Sequence, residues 1–124
     1  MVQIRSSAED YLETILLLTK KTGAVRSIDI VDEMGFSKPS VSVAMKKLRE
    51  DQLIHMDADG YITLTEKGEE AATRVYERHE TLYDWLVSIG VSEKTAAGDA
   101  CRMEHILSEE TFEAIKKKFE KKAK

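Results

Sequence analysis

Residues 27–65 read SIDIVDEMGFSKPSVSVAMKKLREDQLIHMDADGYITLT, and the changes of hydrophobic period inside this stretch decide the fold. Ser27 is the expected N-cap of a short helix carrying Ile28, Ile30, Val31 and Met34, and Gly35 ends it. After that tight corner Ser37 caps a further helix, with Pro39 in the first turn, where a missing N–H costs nothing. Val41, Met45 and Leu48 form its apolar stripe, and Lys38, Ser40, Ser42, Lys46, Lys47 and Arg49 form the opposite face. From Leu53 the period shortens. Leu53-Ile54-His55-Met56 and Tyr61-Ile62-Thr63-Leu64 flank Asp57-Ala58-Asp59-Gly60, the signal of a hairpin. Helix, glycine corner, basic helix and hairpin, in that order, make a winged helix-turn-helix.

Outward from this stretch the chain reads as helix throughout. On the N-terminal side, Ser6 and Glu9 form a capping-box signal, and Tyr11, Leu12, Ile15, Leu16 and Leu18 continue at helical spacing to Gly23. Val25 and Arg26 read as a bridge to the next helix. On the C-terminal side, Thr65 caps a long helix to about Ile89, with Ala72, Val75, Tyr76, His79, Leu82, Tyr83 and Leu86 on one stripe and Gly90 as its stop. Ser92 caps a fifth helix to about Leu107, and Ser108 a sixth through Phe112, Ile115 and Phe119. The expected fold is therefore mainly α: a winged helix-turn-helix with a small β-hairpin wing over residues 1–65, then an α-helical domain over residues 66–124.

Bulk properties narrow the function. A chain of 124 residues has room for one domain, or two small ones sharing a core, and for no large catalytic architecture. It has no apolar run of membrane-spanning length and no signal-peptide pattern at its start, so a cytoplasmic protein is expected. The single cysteine agrees, since it allows no internal disulfide and leaves a buried thiol, a metal thiolate or a redox switch. A net charge of −4 argues against a nonspecific nucleic-acid coat. The charge is uneven, however: Lys38, Lys46, Lys47 and Arg49 lie in a stretch free of acids, a candidate DNA face. That face, Lys38 included, is expected in a major groove, with Ser37, Pro39, Ser40 and Ser42 towards its N-terminal end for base and backbone contact, and Lys46, Lys47 and Arg49 at phosphates. The lysines from Lys116 onward read as a solvated helix end whose charge complements the helix dipole, in preference to a tail that contacts DNA.

Cys101, Glu104 and His105 stand at i, i+3 and i+4 on one predicted helix, so a thiol, a carboxylate and an imidazole share a face. Glu104 comes after Ala97, Ala100 and Cys101 on the expected buried face, where a carboxylate needs a cation or strong donor. Arg102 points about 100° away from it. His79 lies on the apolar stripe of the long helix, where a histidine is more often core than ligand. Asp10 and Glu13, one turn apart, would alone be ordinary first-turn acids. Taken together, these side chains point to a metal site.

Ala8-Glu9-Asp10-Tyr11-Leu12-Glu13, Ser37-Lys38-Pro39-Ser40-Val41-Ser42, Arg78-His79-Glu80 and Ala100-Cys101-Arg102-Met103-Glu104-His105 together resemble the diphtheria toxin repressor family. The short chain resembles its manganese-regulator branch, which lacks the SH3-like third domain. The resemblance implies Asp10, Glu13, His79, Cys101, Glu104 and His105 as metal ligands, and a homodimer formed by the C-terminal helices. It also implies a regulator that binds operator DNA, and represses metal-uptake genes, when Mn(II) or Fe(II) is bound. Two positions depart from the pattern. Manganese regulators carry Glu where this chain has Cys101, and the iron branch carries Cys there but Met where this chain has Asp10. Tyr83 and Ala97 stand where the iron branch places ancillary-site ligands, so no such site is expected.

Thiolate and imidazoles suit Fe(II), Co(II), Ni(II) or Zn(II), and the carboxylates suit harder Mn(II). Mn(II) or Fe(II) is expected physiologically, with Zn(II), Co(II) and Ni(II) able to occupy the site in vitro. Loss of a bridging carboxylate at position 101 leaves one metal, or two weakly coupled ones. Two rival readings compete with this one: a metal-independent winged-helix regulator with Cys101 as redox sensor, and a small metallohydrolase with Glu104 as base. The second lacks any zincin motif and leaves little open coordination for water, so no enzyme is expected.

Overall fold

The computed structural model describes residues 6–123, with side chains over residues 7–120. Along the chain run α1 (Ser6–Thr22), β1 (Val25–Arg26), α2 (Ser27–Met34), α3 (Lys38–Glu50), β2 (Ile54–Met56), β3 (Tyr61–Leu64), α4 (Glu66–Ser88), α5 (Glu93–Ile106) and α6 (Glu109–Ala123). Two structural units divide it, Met1–Arg74 and Val75–Lys124, with the boundary inside α4. No described helix is long and apolar enough to cross a membrane.

In the first unit α1, α2 and α3 pack around a core that includes Leu12, Ile15, Ile30, Val41, Met45, Leu48 and Ile62, all buried. The expected stripe of α3 is the buried one. Ser37 caps this helix, its Oγ accepting the Ser40 N–H at 3.2 Å. At the far end Gln52 adopts φ 61°, and the Leu53 N–H donates to the Leu48 carbonyl at 2.9 Å, so a left-handed residue other than glycine closes the helix.

The sheet differs from expectation. Val25 and Arg26, read as a bridge, form strand β1, which pairs antiparallel with β3 through Val25↔Ile62 and Arg26↔Tyr61. The wing is thus the outer part of a three-stranded sheet in the order β1-β3-β2. Arg26 also stacks its guanidinium over Tyr61, 5.3 Å from the ring centre. The start of α2 differs as well: Arg26, and not Ser27, is the N-cap, because the Asp29 carboxylate accepts the Arg26 N–H at 2.8 Å from the third helical position. The cap expected at Ser6 falls on a side chain outside the described residues.

Thr65 caps α4 as expected, its Oγ1 accepting the Gly68 N–H at 3.0 Å while donating to the Gln52 carbonyl at 2.8 Å. The Thr65 N–H meanwhile donates to the Leu53 carbonyl at 3.1 Å. The first turn of α4 therefore lies directly on the chain leaving α3, and a Cβ at position 68 would fall on the Leu53 carbonyl. Glycine inside a helix normally weakens it by about 1 kcal/mol relative to alanine. Here the sign should reverse: Gly68→Ala is expected to destabilise by about 1–3 kcal/mol through overpacking. Gly98→Ala in α5, whose Cβ would meet only the flexible Arg102 guanidinium at 3.6 Å, should stabilise by up to about 1 kcal/mol. Urea unfolding of the two variants checks both signs.

Candidate metal centre and nucleic-acid interface

The second unit packs Leu82 and Leu86 of α4 against Ala96 and Ala100 of α5 and Phe112 of α6. Ser92 opens α5, its Oγ accepting the Thr95 N–H at 3.4 Å, and Ser108 opens α6, accepting the Thr111 N–H at 3.1 Å. Along α5 the buried residues are Ala96, Ala100 and Glu104, spaced by four. The next residue of the same stripe after the two alanines is the glutamate. Glu104 is 2% exposed, and its residue type stands alone among the buried side chains described.

Two imidazoles flank this carboxylate. His79 Nδ1 lies 3.1 Å from Glu104 Oε2, and His105 Nε2 lies 3.4 Å from Oε1. The first is a hydrogen bond. The second is within ion-pair distance but lacks hydrogen-bond geometry, and Oε1 makes no hydrogen bond among the described residues. With the proton of His79 on Nδ1, a metal would be bound through Nε2. Cys101 Sγ and a Glu104 carboxylate oxygen lie within 4.8 Å of each other. In the second unit His79, Cys101 and His105 thus each lie near the Glu104 carboxylate. Asp10 and Glu13 sit one turn apart on α1 of the first unit, both half-buried.

This donor set fits a divalent transition metal. A buried carboxylate oxygen without a hydrogen bond is costly alone and well placed to bind a cation, and thiolate with imidazoles supplies the softer donors.

The expected buried face of α5 needs correction. Ala97 and Cys101 are exposed, and the stripe runs through Ala96 instead. Alanine and cysteine carry too little apolar surface for the sequence to fix the rotation of this helix. On α4, Tyr76, His79 and Tyr83 are half-buried where the stripe predicts burial, and the Tyr83 ring stacks on His79 with centroids 6.5 Å apart.

On α3 every side chain of the candidate DNA face is exposed: Ser37, Lys38, Pro39, Ser40, Ser42, Lys46, Lys47 and Arg49. Val43 belongs with them, although the sequence pattern does not single it out. It is 70% exposed and stands about 200° around the helix from Val41, at the centre of the outward face. An apolar residue off the stripe is its only signal.

Comparison with known proteins adds an independent finding. Residues 3–67 match the family model described as the iron dependent repressor N-terminal DNA binding domain, and residues 65–123 that described as its metal binding and dimerisation domain. The chain belongs to the iron-dependent repressor family. Members of this family are metal-dependent transcriptional regulators. The chain is 37% identical to the transcriptional regulator MntR of Escherichia coli O6:H1, over 90% of this chain and 72% of that protein. It is 36% identical to an HTH-type transcriptional regulator of Methanocaldococcus jannaschii, over 89% of this chain and 90% of the other. Among solved structures, the fold is similar to a manganese-dependent transcriptional repressor in complex with manganese, with TM-score 0.81 and 28% identity over 90% of this chain. It is also similar to the manganese regulator SloR, with TM-score 0.81 and 26% identity over 96% of this chain. The chain spans 51% and 55% of those two solved chains, respectively.

A buried carboxylate with an unsatisfied oxygen should burden the metal-free fold. Glu104→Leu removes the carboxylate and leaves His79 and His105, both partly exposed, to water; stability in chelator is expected to be unchanged or raised. A loss of about 2 kcal/mol or more in urea unfolding would instead mean that the carboxylate itself contributes to folding.

Proposed function

We propose that this regulator binds operator DNA as a homodimer when Mn(II) or Fe(II) occupies a centre formed by His79, Cys101, Glu104 and His105 and completed by Asp10 and Glu13. The observation that carries this reading is the buried Glu104 carboxylate between two imidazoles, inside the residues matched to a metal-binding and dimerisation domain. Similarity to a manganese-dependent repressor supports the metal assignment. The exposed apolar side chains of Ile89 and Ile106 in the same unit, the latter 77% exposed, are surface that a second copy would cover. The functional division is drawn at residues 65 and 66, close to where the two family models meet, and metal-uptake genes are the proposed targets of repression.

When bound, the cation supplies the positive charge that offsets the carboxylates and the Cys101 thiolate. Glu104 holds its carboxylate away from water, where each electrostatic contact to a bound cation would be strong. Asp10 and Glu13 belong to the unit that carries the DNA face, so ligand sharing couples operator affinity to metal occupancy. By linkage, operator DNA raises metal affinity by the same factor. On α3 and its cap, Ser37, Pro39, Ser40 and Ser42 approach bases and backbone from the N-terminal end, while Lys46, Lys47 and Arg49 neutralise phosphates and Lys38 adds to the basic face. Val43 offers an apolar surface suited to a thymine methyl group. A metal-independent redox role for Cys101 is not favoured, because the family match extends through the metal-binding domain.

Titration of apo-protein with Mn(II), with anaerobic Fe(II) and with Zn(II), read out on an operator selected from random duplexes, tests the proposal. Glu104→Ala and His105→Ala should abolish metal-stimulated binding with helix content retained, and binding indifferent to chelator would overturn the reading. The Co(II) form should carry a thiolate-to-metal charge-transfer band absent from Cys101→Ser. Lys46→Ala or Lys47→Ala should weaken all sequences alike and reduce the salt slope by about one unit, an outcome that a solvent-facing lysine would not give.

A further inference from the structure

We infer that Arg78 is a positioning residue for the metal centre, fixing the C-terminal turn of α5 so that Glu104 and His105 are presented to His79. This rests on the ligand set proposed above. The Arg78 guanidinium lies across the end of α5, donating to the Glu104 carbonyl at 3.0 Å, to the Leu107 carbonyl at 2.8 Å and to the Ser108 carbonyl at 3.4 Å. It also sits 4.9 Å from the centre of the Phe112 ring on α6. Carbonyls in the last turn of a helix have no partner within it, and a cation there is favoured by the helix dipole.

Most helices take such a cap from their own last turn or from the chain just beyond it. Here it comes from α4, and from the residue next to His79. One glutamate is therefore held at both ends by adjacent residues: Arg78 binds its backbone oxygen and His79 its carboxylate. The guanidinium is a rigid planar fork. With one arm on the Glu104 carbonyl and the other on that of Leu107, it fixes both the rotation of α5 about its axis and its height along α4. Those two coordinates set where a side chain at position 104 or 105 points. The arrangement is not one tuned for stability, since the buried Arg78 Nε makes no hydrogen bond among the described residues. Its two useful arms are committed to the turn that carries the ligands.

Arg78→Lys keeps the charge and removes the fork, and Arg78→Gln removes both. Phe112→Leu serves as a control that loosens the same packing without touching the carbonyls. All are compared with the parent as full chains, by melting in chelator, by Mn(II) affinity and by the ligand-field absorption of the Co(II) form, at a temperature where every protein tested is folded. Loss of a group that orients a metal ligand typically weakens metal binding about 10–100-fold. Arg78→Lys should weaken Mn(II) binding by about tenfold or more and shift the Co(II) bands, while Phe112→Leu, even if it melts lower, keeps the parent's affinity and spectrum. Arg78→Lys with the parent's affinity and spectrum would overturn the inference and reduce Arg78 to a helix cap. Should Arg78→Gln fail to fold, the lysine variant decides. Glu104→Ala separates the two failures: if it leaves Mn(II) affinity untouched, the ligand set is wrong and this inference falls with it, whereas a large loss there beside an unaffected Arg78→Lys rejects the positioning role alone.

Discussion

Removing a carboxylate from water costs several kcal/mol unless charge and hydrogen bonds replace the solvent, and the second unit is arranged around one such group. Ala96 and Ala100 are buried in the cluster that holds Leu82 and Leu86 of α4, and the next position on their stripe, also buried, is Glu104. An apolar residue there would complete the core already formed with Leu82, Leu86 and Phe112. The chain instead gives that position to a group satisfied on one oxygen by His79 and, among the described residues, without a hydrogen bond on the other. Such a departure from core logic in an otherwise consistent helix is the physical mark of a functional site.

Much of this architecture is legible in the sequence because the deciding signals are local. Serine and threonine caps at Ser37, Thr65, Ser92 and Ser108 each accept the expected backbone N–H, and the Val41, Met45 and Leu48 stripe sets the outward face of α3. Glu104 can be singled out because a carboxylate in register with alanines has no bland explanation. The features that escape are those that depend on distant partners or weak signals. Strand β1 has two residues and no alternation to detect, and exists because β3 offers it an edge. The rotation of α5 is misjudged because alanine and cysteine scarcely distinguish two faces. Val43 is masked by the serines and lysines around it, and the engagement of Arg78 with carbonyls 26–30 residues later has no local signature.

In the first unit, backbone contacts hold α3 in place. Its end is closed through Gln52 and the Leu53 N–H, and the Leu53 carbonyl in turn receives the Thr65 N–H where α4 begins. Gly68 belongs to this junction, since only a residue without a Cβ lets α4 start so close. A helix braced by backbone in this way would lose little conformational freedom on meeting a binding partner, which conserves binding free energy that a mobile helix would forfeit.

The turn of the wing has an electrical consequence. Asp57 Oδ1 accepts the N–H groups of Asp59 and Tyr61, both at 2.9 Å, and Gly60 turns the chain at φ 85°. The chemistry that closes the hairpin thus leaves the carboxylates of Asp57 and Asp59 at its tip. Against a polyanion such as DNA these two carboxylates would repel where the lysines of α3 attract, and added salt would weaken both effects.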